Sequence, residues 1–151
     1  MQTVLFTGLL FMLSNLTTSC GNYPDAPVLS LTSVEGTSIE LNGGTPMTAV
    51  FFFSMSNPVA LGALNSLPEN LDDAADVVAI AMHVDRPPNV YNMQQRTLVP
   101  IVIDDANRIA RAFGGIDLTP TLILIDKGRI LLHQRGQLDY QAINGFIDKQ
   151  Q

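Results

Sequence analysis

Two runs of apolar residues, one over 48–53 and one over 77–84, limit the folds that this chain can adopt. Neither run shows regular alternation with polar residues, which is typical of strands that are buried on both faces. Between them, residues from Val59 to Leu67 place apolar side chains at helical spacing after Pro58. A strand, a helix and a second strand in this order predict parallel strands in the middle of a sheet that helices cover.

Shorter apolar segments complete the pattern. Alternating residues predict two short strands between 28 and 41, and Pro100 places the strand over 99–103 at an edge of the sheet. Two further strands between 122 and 134 form a hairpin around a glycine turn. Besides the helix after Pro58, helices are predicted over 90–98, 106–113 and 140–149. The order predicts one α/β domain whose central sheet is partly parallel, with antiparallel strands added by the last hairpin.

The first 22 residues carry no charged side chain and include an apolar run over 4–13. This run is shorter than the about 20 residues that span a bilayer, and its length is typical of a signal peptide. Small residues precede Cys20 and resemble a bacterial lipobox, without the usual aliphatic residue three positions before the cysteine. We expect a lipoprotein-type signal peptide over 1–19, a lipid on Cys20 and a tether over 20–27. A plain secretory signal and an uncleaved anchor are the alternatives.

Charge and cysteine content exclude several functions. The formal net charge is −6, with 8 Lys and Arg against 14 Asp and Glu, and the basic residues form no run. Nucleic acids and anionic membrane surfaces require clustered cations, so we expect neither as a partner. Cys20 is the single cysteine of the sequence, which excludes an internal disulfide and an internal dithiol couple.

Four segments in order resemble the thioredoxin-like proteins of the membrane-tethered TlpA/ResA type, from about Ala26 to the C-terminus. Phe51–Val59 matches the aromatic strand with its Trp-Cys-x-Pro-Cys turn, and Leu98–Asp104 matches a proline-containing strand. Leu118–Thr121 matches the cis-proline loop, and Ile125–Ile130 matches an Asp-x-x-Gly-x-Ile hairpin. The resemblance implies a thioredoxin-like domain over 28–151, a three-layer α/β/α sandwich with a mixed central sheet and an N-terminal β-hairpin extension. It also implies thiol–disulfide exchange without a cofactor, in the bacterial cell envelope on the periplasmic side.

The sequence departs from this family at the motif that carries the chemistry. The match places Ser56 and Val59 at the two cysteine positions, with Asn57 and Pro58 between them. Disulfide exchange requires a thiolate at the start of the helix and a second thiol that resolves the mixed disulfide. Serine and valine supply neither group, so we predict no catalytic residue at this site. Ser56 is instead predicted to cap the helix.

The first functional hypothesis is a redox-inactive envelope lipoprotein that binds a protein or peptide through the former active-site face. The resemblance makes Pro120 the cis-proline, and the predicted groove consists of Met55, Ser56, Asn57, Pro58, Thr119 and Pro120. The alternative is a thiol–disulfide oxidoreductase or antioxidant-type protein. That activity would require Cys20 of one molecule to act at the groove of another.

Other residues support weaker hypotheses. Soft-metal or small-ligand transport would use the methionines and histidines near the site, but they form no ligand cluster in the sequence, so we predict no metal site: Met55, Met82, His83 and His133. Ser56 could act as a nucleophile only with a base within hydrogen-bond reach. The two histidines, His83 and His133, both fall in predicted strands, so no base is evident. Asp104 and Asp105 are predicted to cap a helix. The uncharged stretch over 91–95 is a weak candidate for a contact surface.

Overall fold

Seven strands and four α-helices occur in the part of the chain that the computed structural model describes, residues 23–41 and 46–151. In chain order they are β1 (Leu29–Thr32), β2 (Ser38–Leu41), β3 (Thr48–Ser54), α1 (Ala60–Asn70), β4 (Asp76–Met82), α2 (Pro87–Gln94), β5 (Ile101–Ile103), α3 (Arg108–Ala112), β6 (Thr121–Asp126), β7 (Arg129–Arg135) and α4 (Tyr140–Ile147). Short 3-10 helices, Asp105–Asn107 and Asp148–Gln150, precede α3 and follow α4. The predicted signal peptide and Cys20 lie outside the described residues.

The central sheet has five strands in the order β5-β4-β3-β6-β7. Strands β3, β4 and β5 are parallel, whereas β6 and β7 are antiparallel to their neighbours. Strands β1 and β2 form a separate antiparallel pair. The mixed sheet and the N-terminal hairpin therefore agree with the prediction from the sequence.

Strand β3 is buried on both faces and divides the core into two layers. Phe51 and Phe53 face the cluster that α1 and α4 cover. Val50 and Phe52 face the opposite cluster, which α3 and the β1–β2 hairpin cover. Because successive side chains of a strand point to opposite faces, one apolar run serves both cores. The predicted three-layer sandwich is thereby confirmed.

The two edges of the sheet differ in how they are protected. At one edge, β5 has three residues and follows Pro100, as the sequence predicts. At the other edge, Asp25 forms an antiparallel bridge to Arg129 of β7. The Ile130 amide donates to the Pro24 carbonyl at 2.8 Å in this region. The later part of the predicted tether thus lies against the domain.

Helices α2 and α3 begin at other residues than the sequence predicts. Helix α2 begins at Pro87, three residues before the predicted start at Val90, because proline fits the first turn of a helix. Helix α3 begins at Arg108 and not at Ala106. Ala106 and Asn107 both have left-handed backbone, with φ of 51° and 56°, so the chain kinks before α3 starts.

Buried polar side chains join these elements. Gln94 is 2% exposed; its amide group donates to the Val99 carbonyl at 3.0 Å and accepts from the Ile101 amide at 2.7 Å, which fixes α2 to β5. The Asp104 carboxylate accepts from the Ile109 and Ala110 amides at 2.8 and 2.9 Å. Asp104 therefore caps α3, as predicted, because it satisfies amides that lack a partner within the helix. The Asp105 side chain accepts no hydrogen bond from the described residues, so the same prediction for Asp105 is wrong.

None of the helices described between residues 23 and 151 is both long and apolar enough to cross a membrane.

Candidate functional site

The turn between β3 and α1 lies at the carboxyl end of the central parallel strands. Ser54 ends β3 and pairs in register with Met82, which ends β4. Residues after these two strands therefore emerge side by side at one end of the sheet. Ser56 and Val59, which the resemblance matches to two cysteines, both lie in this turn and are exposed, with Val59 at 67%.

Hydrogen bonds within the turn show that Ser56 does not cap α1, and that prediction is wrong. The Ser56 hydroxyl lies 2.8 Å from the Ser54 hydroxyl. Asn57 makes the side-chain bond at this end of the helix instead, because its Oδ1 accepts from the amide of Val59, the residue that precedes α1, at 3.1 Å. Asparagine favours this position because its carbonyl reaches a free amide at the start of the helix.

The cis-proline loop lies beside the same turn. Thr121 pairs with Phe52 of β3, so the two residues before it lie next to the end of β3. The Thr119–Pro120 bond is cis, which confirms the prediction for Pro120. The Thr121 hydroxyl donates to the Leu118 carbonyl at 2.6 Å and holds the loop. No hydrogen bond among residues 23–41 and 46–151 uses the Thr119 backbone.

Two cavities flank the turn on the side of α2. The Ser56 cavity, of about 420 Å³, is lined mainly by polar residues: Ser54, Met55, Ser56, His83, Val84, Asp85, Arg86 and Asn89. The α2 cavity, of about 400 Å³, is lined by Met55, Asn57, Pro58, Leu61, Asn89, Asn92, Met93 and Arg96. The two cavities adjoin at Met55 and Asn89, and neither is lined by Thr119 or Pro120.

The soft-ligand residues are only partly brought together. Met55 and His83 line the Ser56 cavity, and His83 has left-handed backbone at the end of β4, with φ of 53°. Met82, at the end of β4, is buried in the core layer that α3 covers, and His133 lies in the edge strand β7. Over 23–41 and 46–151 no three His, Cys, Asp or Glu side chains are placed to share a metal ion. The Ser56 hydroxyl bonds to Ser54 and not to His83.

Helix α2 and the loop before it contribute residues to the site that the sequence pattern did not predict. Arg86, Asn89 and Arg96 line the cavities, although they lie thirty or more residues after Ser56. The prolines at 87 and 88 were the available signal, because they mark the start of α2 and so fix which residues face α1. Of the uncharged stretch over 91–95, Asn92 and Met93 line a cavity while Gln94 is buried.

No family model and no curated protein matches this chain. Solved structures do match. A thiol:disulfide interchange protein of the thioredoxin family from Chlorobium tepidum TLS is 22% identical, with a TM-score of 0.67 over 84% of this chain and 95% of that one. StoA from Bacillus subtilis is 20% identical, with a TM-score of 0.65 over 82% and 98%. The pneumococcal exposed lipoprotein thioredoxin of Streptococcus pneumoniae strain TIGR4 is 18% identical, with a TM-score of 0.63 over 81% and 98%.

These similarities confirm that the chain has a thioredoxin-like fold, as the four segments of the sequence predicted. The structural neighbours are thioredoxin-like thiol–disulfide oxidoreductases. At these identities the shared feature is the fold, whereas the chemistry of this chain depends on its own residues at positions 56 and 59.

The capping arrangement leads to a stability prediction for two adjacent residues. Asn57→Ala removes the acceptor for the Val59 amide and should lower the free energy of unfolding by about 1 kcal/mol. Ser56→Ala removes only an exposed hydroxyl contact and should change it by less than about 0.5 kcal/mol. Urea unfolding monitored by circular dichroism measures both. A larger loss for Ser56→Ala than for Asn57→Ala would contradict the assignment of the cap.

Proposed function

We propose that this thioredoxin-fold chain is a redox-inactive binding module of the bacterial envelope, which docks a protein or peptide through the surface around Ser56. One observation carries the proposal. The turn after β3 lies beside the cis-proline loop, as in a thioredoxin-like fold. However, Ser56 and Val59 occupy the two positions where disulfide exchange needs thiols.

Thiol–disulfide exchange requires an ionised thiol, and this requirement supports the proposal that the chain is redox-inactive. A thiol at the start of a helix ionises readily because the helix dipole and free amides stabilise the thiolate. A serine hydroxyl at this place has no disulfide chemistry, and the Ser56 hydroxyl already lies within hydrogen-bond distance of Ser54. Val59 has no group that could resolve a mixed disulfide.

Backbone groups beside Ser56 support a binding role. The Thr119 amide and carbonyl have no hydrogen-bond partner in the described part of the chain. The Pro120 carbonyl, in contrast, accepts from the Gly136 amide at 2.7 Å. An extended peptide can pair with such free backbone groups by strand addition. The proposed binding surface comprises Met55, Ser56, Asn57, Pro58, Thr119 and Pro120.

The alternative function is thiol–disulfide exchange, and the structural neighbours favour it better than they favour a scaffold role. For this chain it would require Cys20 of one molecule to reach the groove of a second, because the sequence has no other thiol.

A thiol-exchange assay separates the two functions. The full chain and the Cys20→Ala variant should both reduce insulin disulfides no faster than dithiothreitol alone. The double variant Ser56→Cys with Val59→Cys, made in the Cys20→Ala background, should gain turnover, because it restores a dithiol at the start of α1. Val59→Cys alone in that background is the matched control. Turnover by the unmodified chain that is lost in Cys20→Ala would overturn the redox-inactive proposal.

An extracytoplasmic location with a lipid anchor on Cys20 forms part of the proposal. Its support is the uncharged apolar N-terminal segment and the description of the pneumococcal neighbour as an exposed lipoprotein. Cells that express the full chain should incorporate labelled palmitate into it, and Cys20→Ala should abolish the label and release the protein from membranes. Equal labelling of the two proteins would contradict lipidation at Cys20.

Site-directed photo-crosslinking tests the docking surface. A photoreactive amino acid at Ser56 should form an adduct with an envelope protein or peptide, and the adduct should persist after thiols are alkylated. The same amino acid at Arg108, which is exposed on α3 across the sheet, is the matched control and should give no such adduct. Equal adducts at both positions, or none at Ser56, would argue against docking through this face.

A further inference from the structure

The Ser56 cavity and the α2 cavity adjoin at Met55 and Asn89, and we call the two together the α2 groove. It runs along α2 on the side of the Ser56 turn that faces away from the cis-proline loop. Met55 and Asn89 lie at its middle, because they line both cavities. The groove is therefore a second concave surface next to the strand-addition site around Thr119.

The charges of the α2 groove contrast with those of the whole chain. The chain has a formal net charge of −6, yet Arg86 and Arg96 line the two cavities and Asp85 is the one carboxylate in either lining. Among the described residues, one salt bridge is present, and it joins Arg135 to Asp117. Arg86 and Arg96 therefore have no carboxylate partner within the described part of the chain. An anionic ligand would supply the missing partners.

The spacing of the two arginines sets the length of such a ligand. Arg86 precedes α2 and Arg96 follows it, so ten residues of mostly helical rise separate them by about 15 Å. An extended peptide advances about 3.3 Å per residue, so carboxylates four residues apart lie about 13 Å apart. Residues at the first, third and fifth positions of that peptide also share one face.

Uncharged side chains of the α2 groove suit the rest of a peptide. Met55 and Met93 are half-buried, and methionine adapts to varied apolar side chains. Asn89 and Asn92 are exposed and offer amide donors and acceptors to a peptide backbone. The groove thus combines two methionines and two asparagines with Arg86 in one cavity, which Asp85 also lines, and Arg96 in the other.

We infer that the α2 groove binds an extended acidic peptide segment, with an apolar residue over the methionines and a carboxylate two residues to each side of it. The inference rests on the proposed function, since it names the chemical class of the partner that docks beside Ser56. Arg86 and Arg96 bind the two carboxylates, and Met55 and Met93 contact the apolar side chain between them.

Fluorescence anisotropy with defined peptides tests this inference. The probe is the labelled pentapeptide glutamate–serine–leucine–serine–glutamate, and the comparison peptides replace both glutamates with lysine or place the two glutamates next to each other. The full chain should bind the probe most tightly, and added salt should weaken binding because exposed ion pairs are screened. Arg86→Ala with Arg96→Ala should weaken binding about 3- to 30-fold.

The matched control is Arg108→Ala with Arg111→Ala, which removes two exposed arginines from α3 on the opposite face of the sheet. It should leave the affinity for the probe unchanged. Equal binding of the lysine peptide, equal losses in the two double variants, or no binding at millimolar protein would overturn the inference. A Ser56 photo-adduct obtained together with any of these results would leave docking at the Ser56 face standing, whereas loss of the adduct alone would remove the proposed function.

Discussion

Burial of β3 on both faces is the constraint on which the rest of the structure depends. Phe51 and Phe53 pack into one core layer while Val50 and Phe52 pack into the other, so this strand cannot shift in register without exposing aromatic surface. Its end is therefore fixed, and so is the turn that carries Ser56. The arrangement of this turn follows from the packing of the sheet and requires no cysteine.

This separation of fold from chemistry explains why the structural neighbours and the residues indicate different functions. The neighbours share the fold, which the core determines. Disulfide exchange depends on two side chains that contribute little to the core, since Ser56 and Val59 are both exposed. Substitution at these positions leaves the fold intact, so a thioredoxin-like fold alone does not establish activity.

The sequence predicted most of the fold, because buried strands have a local signature. The apolar runs located β3 and β4, Pro100 located an edge, and the cis-proline was found at Pro120. Predictions failed where two local solutions compete. Ser56 and Asn57 are both good caps, and the path of the backbone after β3 decides for Asn57.

The α2 groove could not be predicted from spacing in the sequence, because it forms between segments that come together only in the folded sheet. Met55 follows β3, whereas Asn89 lies in α2 after β4. Gln94 is a related case: its buried amide fixes α2 to β5, although glutamine in a polar stretch suggests exposure.

Protection of the sheet edges affects how copies of the protein meet at high concentration. Strand β5 is short and preceded by a proline, and Pro24 and Asp25 cover the start of β7, whose later part carries His133 and Arg135. A register shift between Leu124 and Ile125 further bends the pairing of β6 with β7. Such edges resist strand exchange between molecules. Neighbouring copies are thus kept from joining into a continuous sheet, and the loops at the carboxyl end of β3 stay available to other molecules.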